Sequence, residues 1–134
     1  MAIRGVSKIV VGVRDQARAK KFWSETIGFT ITTDVPYDDK GNNWVEVTSA
    51  DGETALILSA DPADSGRSAV SDELPTANFF FYTDDIRRTY RELSAKGVEF
   101  PAEPVEQPWG WWSMFVDSEG NRFALQQRTA PPNG

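Results

Sequence analysis

The 134-residue chain contains neither cysteine nor histidine. Without cysteine there is no disulfide framework, no thiolate metal site and no thiol nucleophile. Without histidine the commonest metal ligand, the usual general base at neutral pH and every histidine-dependent triad are gone as well. Basic charge is also scarce: 14 lysines and arginines stand against 20 aspartates and glutamates, for a formal net charge of −6. A nucleic-acid partner needs a basic face to neutralise phosphate, so this balance argues against one. Solubility is its plain use, and attraction of a cationic ligand its sharper one. Long apolar runs are missing too. The one at residues 9–13 is broken by Gly12 and too short for a membrane span, and no signal-like basic and apolar leader precedes it. The reading is a cytoplasmic protein with no membrane partner, a single domain by length, able to bury about two-thirds of its unfolded surface.

What the chain does have is a repeat. The stretch SKIVVGVRDQARAKKFWSETIGF, residues 7–29, returns in altered form at residues 77–100. In each copy an apolar run (Ile9, Val10, Val11, Val13; then Phe79, Phe80, Phe81, Tyr82) leads to an aspartate, Asp15 or Asp85. That aspartate starts a helical pattern which stops at Gly28 or Gly97. β-Branched and aromatic runs suit a strand, and aspartate accepts a bond from the free N–H groups of a first helical turn. Strand, cap, helix and glycine form the unit.

The first strand, about residues 6–13, sends Ile9, Val11 and Val13 to one face and Lys8, Val10 and Gly12 to the other. Ala19, Phe22, Trp23 and Ile27 recur at helical spacing, which makes Trp23 a core residue. Residues 29–33 read as a strand, 34–43 as a polar turn, and 44–48 and 54–59 as two more strands. Val45 and Val47 then face the helix, leaving Trp44, Glu46 and Thr48 on the opposite face. A linker rich in turn residues spans about 61–76 and could also serve as a lid. In the second copy Phe79, Phe81 and Thr83 oppose Asn78, Phe80 and Tyr82, and Ile86, Tyr90 and Leu93 line one helix face. Residues 101–110 carry three prolines and cannot hold a central strand. Residues 111–117 and 121–127 form a closing hairpin. The fold class is therefore α+β: two tandem βαβββ modules, about 4–60 and 77–128, with a tail at 129–134.

These residues resemble the vicinal-oxygen-chelate superfamily of glyoxalases, bleomycin-resistance proteins and extradiol dioxygenases. VSKIVVGVRDQARAKKFWSETIGF is similar to its opening and FVDSEGNRFALQQ to its closing hairpin, so the likeness spans both modules. It implies a paired, cup-shaped mixed sheet and a homodimer. In the metal-dependent members the ligands come from the first and last strand of each module, which places them here at Lys8, Ile57, Asn78 and Ala124. A cation, two hydrocarbons and an amide do not suit a divalent metal, so the resemblance implies a member without metal or other cofactor.

Parity and the family pattern together put Trp44, Phe80, Tyr82, Trp109, Trp112 and Met114 on or above the inner face, with Lys8, Glu46 and Asn78 beside them. In the closing hairpin parity alone does not choose between Trp112 with Met114 and Trp111 with Phe115; the resemblance favours the former. An indole-lined pocket takes flat or cationic organic molecules. The expected function is capture of a small aromatic or cationic compound, with drug sequestration as one form of it. The alternative is a divergent lyase, isomerase or dioxygenase with relocated metal ligands, or acid and base catalysis through Glu46 if burial raises its pKa. Whether the protein is an enzyme is left open, with the missing ligands leaning against it. A scaffold that binds another protein is the third reading.

Overall fold

The structure, a computed structural model, describes residues 2–61 and 79–128. Asn78, nearly all of the expected linker and the tail at 129–134 lie outside the described residues. The chain divides into two compact units, Met1–Arg67 and Ser68–Gly134, and each carries one copy of the repeat.

In the first unit β1 (Lys8–Gly12) leads into α1 (Gln16–Lys21), and β2 (Thr30–Pro36), β3 (Asn43–Thr48) and β4 (Ala55–Ser59) follow. Their order across the sheet is β1-β4-β3-β2, with β1 and β4 parallel and the other pairs antiparallel. A parallel neighbour cannot be reached by a tight turn, so the chain must cross over before β4 joins β1, and the helix and the two intervening strands fill that crossover. The second unit repeats the plan with β5 (Phe80–Thr83), α2 (Ile86–Ala95), β6 (Val105–Gln107), β7 (Gly110–Val116) and β8 (Arg122–Gln127), ordered β5-β8-β7-β6. The result is α+β, two four-stranded mixed sheets.

Both helices start as the aspartates dictate. Asp15 accepts from the Arg18 N–H at 3.0 Å and Asp85 from the Arg88 N–H at 3.1 Å. Both end on a left-handed glycine, Gly28 at φ 96° and Gly97 at φ 93°. Between those points they differ. Gly28 lies 13 residues after its cap and Gly97 only 12. The extra residue is absorbed as a π-helical segment, Phe22–Ile27, whose wider turn holds one residue more. The closing bonds show the offset: Val98 N–H reaches the Leu93 carbonyl, whereas Phe29 N–H reaches back one residue further, to Trp23. The uniform helix expected for module one is thus corrected to a short α-helix followed by a π segment.

Strand boundaries also move. β2 runs on to Pro36, past the expected end at residue 33, because an irregularity between Ile31 and Thr33 keeps it in register with β3. The polar turn shrinks to residues 37–42, closed by Tyr37 N–H on the Asn42 carbonyl and by Asp38, which accepts from the Lys40 and Asn42 N–H groups. β1 begins at Lys8 rather than residue 6. The proline-rich stretch holds only a three-residue edge strand, β6, since no proline falls inside it.

Each sheet buries one face under its own helix. In the first unit Val11, Val13, Ala19, Trp23, Val45, Val47, Leu56 and Leu58 form the core. In the second, Phe115 and Phe123 are buried, with Phe81 packed against both at 5.8 and 5.5 Å between ring centroids. The first core is mostly aliphatic around one tryptophan; the second is largely aromatic.

Candidate functional site

The register makes the two open faces comparable position by position. Ile57 of β4 lies between Val10 and Glu46, and Ala124 of β8 lies between Phe80 and Met114. Val10 therefore matches Phe80, Glu46 matches Met114, and two residues earlier Trp44 matches Trp112.

In the first unit the open face is held by a polar triad. Glu46 on β3 is only 7 % exposed, and one carboxylate oxygen accepts from both Lys8 Nζ at 2.9 Å and Trp44 Nε1 at 2.7 Å. The Trp44 hydrogen bond, and after it the Lys8 ammonium, hold the carboxyl below its ordinary value. Acid and base catalysis needed burial to raise that value. The partners outweigh burial, so the proposed condition for a Glu46 base is corrected. Lys8, with its side chain half exposed, is one arm of this pair.

Next to the triad lies an open cleft of about 470 Å³ that the sequence did not disclose. Val10, Tyr37, Asp38, Trp44, Ile57 and Asp61 are among its walls, and the Tyr37 and Trp44 rings sit 5.5 Å apart. Tyr37 and Asp38 were hidden inside a stretch of turn formers. The available signal was a lone aromatic in that polar run, seven residues before Trp44.

In the second unit the open face is aromatic. Trp112 stacks on Phe80 at 6.4 Å, and Trp109, on the turn between β6 and β7, meets Phe80 at 6.3 Å and Trp112 at 5.9 Å. Trp109 is 58 % and Phe80 48 % exposed. Met114 shares this face through its pairing with Ala124, while Phe115 turns into the core. Trp111 lies under the Arg87 guanidinium of α2, 4.4 Å from the ring centroid. The Tyr82 ring already carries a cation: the Arg128 guanidinium sits 3.6 Å from its centroid. Arg128 escaped sequence reasoning because nothing but the register of β5 and β8 brings it to Tyr82. The indole nitrogen of Trp112 is buried and has no hydrogen-bond partner among the described residues.

Residues 5–125 match the family model described as Glyoxalase/Bleomycin resistance protein/Dioxygenase superfamily. The chain belongs to this superfamily. It is 34 % identical over 125 residues to the uncharacterized protein YetH of Bacillus subtilis, covering 93 % of this chain and 99 % of that one. Among solved structures it resembles TnmS3, an antibiotic binding protein from Streptomyces sp. CB03234, at 32 % identity and TM-score 0.78, with 95 % of this chain and 98 % of that one covered. A member of the same superfamily from Sphaerobacter thermophilus gives TM-score 0.78 at 26 % identity, covering 96 % and 100 %.

The resemblance places metal ligands at Lys8, Ile57, Asn78 and Ala124, and the three of these that are described do not fit a metal. The Lys8 ammonium is bound to Glu46, and Ile57 and Ala124 offer only hydrocarbon. Asn78 lies outside the described residues. Among the described residues, no three or more aspartates and glutamates converge as a metal site would need. Nor does the aromatic open face of the second unit replace those donors, since indole N–H groups donate and do not ligate.

Proposed function

We propose that the protein captures a small aromatic or cationic compound without a metal ion or other cofactor, and that it works by sequestration rather than catalysis. The observation that carries this reading is the open face of the second unit, where Phe80, Trp109 and Trp112 form one ring cluster with two members about half exposed. Grouped exposed rings mark a binding surface, and each good ring contact contributes about 0.5–1.5 kcal/mol. The 32 % identity with an antibiotic binding protein supports the same reading. Trp44 and the cleft beside it give the first unit a second place where a ring could lodge. A flat aromatic suits the second unit better than a cation does, because Arg128 already covers Tyr82.

Tryptophan fluorescence titrated with a panel of flat aromatic and cationic compounds tests the proposal. Saturable quenching by a subset is expected, and silence across the panel would leave it without support. Elemental analysis of the purified protein tests the metal-free part: a stoichiometric transition metal would return the enzyme reading. The proposal also places a homodimer in the cytoplasm, and sedimentation velocity at micromolar concentration should give twice the chain mass.

A further inference from the structure

Trp44 and Trp112 stand at equivalent places in the two sheets, and each directs an indole N–H that burial makes costly to leave unpaired. In the first unit the acceptor is internal. Glu46, two residues along the same strand, takes the Trp44 N–H at 2.7 Å. In the second unit the equivalent residue is Met114, whose thioether is at best a weak acceptor, and the Trp112 nitrogen has no partner among the described residues. Water does not relieve it, since that nitrogen has essentially no accessible surface.

We infer that the compound captured on the second unit is a planar aromatic bearing an acceptor oxygen, a carbonyl or carboxylate, which takes the Trp112 N–H in the role that Glu46 fills for Trp44. The inference rests on the capture reading above and names the chemistry that reading leaves open. The ring of such a ligand packs against Phe80 and Trp109. Its oxygen reaches the N–H on rearrangement of the side chains around Trp112, and Trp109, on the β6–β7 turn, is the most exposed ring of the cluster. Rings supply most of the affinity, while the N–H selects among rings. A ligand without an acceptor leaves the donor unpaired and loses about tenfold, the equivalent of one buried hydrogen bond.

Equilibrium dialysis of the full chain with three matched probes decides it: isopropylnaphthalene, which has no acceptor, acetylnaphthalene, a neutral ketone, and naphthoate. At least one of the two oxygen-bearing probes should bind about tenfold tighter than the hydrocarbon. Which one does so tells carbonyl from carboxylate. Trp112→Phe keeps a ring and removes the donor, so the preference should fall toward one whatever the absolute affinities do. Met114→Glu installs the internal acceptor of the first unit and should erase the preference by a different route. Equal binding of all three probes to the unmodified protein overturns the inference while leaving capture intact, and so does a tenfold preference that survives Trp112→Phe. Absence of binding by every probe overturns this inference, while capture itself falls only if the fluorescence panel is silent too. Should one variant fail to fold, the other still shows whether the preference depends on the Trp112 N–H.

Discussion

On its open face the first unit pairs the Trp44 indole and the Lys8 ammonium with the Glu46 carboxylate, while the second, built on the same strand order and register, leaves the Trp112 N–H without a partner among the described residues, amid exposed rings. The same contrast runs through the cores. Val11, Val47 and Leu56 of the first sheet stand where Phe81, Phe115 and Phe123 stand in the second. A duplicated frame constrains backbone pairing and face, and leaves side-chain volume and polarity free to diverge. One copy closes its chemistry internally and the other presents it outward.

The largest test of that contrast lies in the cores. Phe123 is fully buried and packs against Phe79, Phe81 and Phe115 at 5.5–5.6 Å. Phe123→Ala should cost about 3–5 kcal/mol, from lost transfer energy and the cavity left in a ring cluster. Its counterpart Leu56→Ala, also buried, should cost about 2–5 kcal/mol and lie below Phe123→Ala in the same urea titration. A larger loss at Leu56 would mean that the aromatic core packs more loosely than its ring contacts indicate.

The polar triad gives a smaller effect. Glu46→Ala strands the Trp44 N–H and the Lys8 ammonium together and should cost about 1–3 kcal/mol. Glu46→Gln keeps an acceptor for Trp44 and removes only the charge pair. Because the Lys8 side chain is half exposed, that pair is screened, and the loss should stay below about 1 kcal/mol. If the two variants lose equally in denaturant titrations, the charge on Glu46 matters more than the hydrogen bond to Trp44, and the parallel between Trp44 and Trp112 weakens.

Much of this architecture was legible in the chain. Asp15, Asp85, Gly28 and Gly97 carry their structural roles in their own chemistry, capping a first turn or tolerating a left-handed backbone, so both helices could be bracketed without coordinates. Alternation likewise separated Val45 and Val47 from Trp44 and Glu46. The site was less legible, because its properties are pairwise and long-range. Glu46 could be placed on the open face, but not beside Lys8, which is 38 residues away, and the direction of its pKa depends on that neighbour and on Trp44. The π segment was visible only as a difference of one residue between two cap-to-glycine spacings. Tyr37 does lie in the expected turn, but its contact with the Trp44 ring across the hairpin is not visible in local composition.

The smallest effect, and the sharpest in sign, is the pH response of two buried carboxylates, one in each unit. Glu46 is held below its ordinary value of 4.5 by Trp44 and then Lys8. Its contribution to stability is present above that value and is lost as pH falls through the lower folded-state pKa. Asp117, in the turn between β7 and β8, behaves in the opposite way. Burial raises it above 3.8, against the bonds it accepts from the Glu119 and Asn121 N–H groups and the Asn121 side chain. Its ionised form is disfavoured in the folded protein, so its charge costs stability above the folded-state pKa, and acidification toward 3.8 removes that cost. Difference curves of denaturation midpoint against pH, between about 3 and 6, should therefore diverge: the deficit of Glu46→Gln shrinks as pH falls, whereas Asp117→Asn loses ground to the unmodified protein. Slopes of the same sign would show that neighbours, not the contrast between a paired and a desolvated carboxylate, set the titration of the two units.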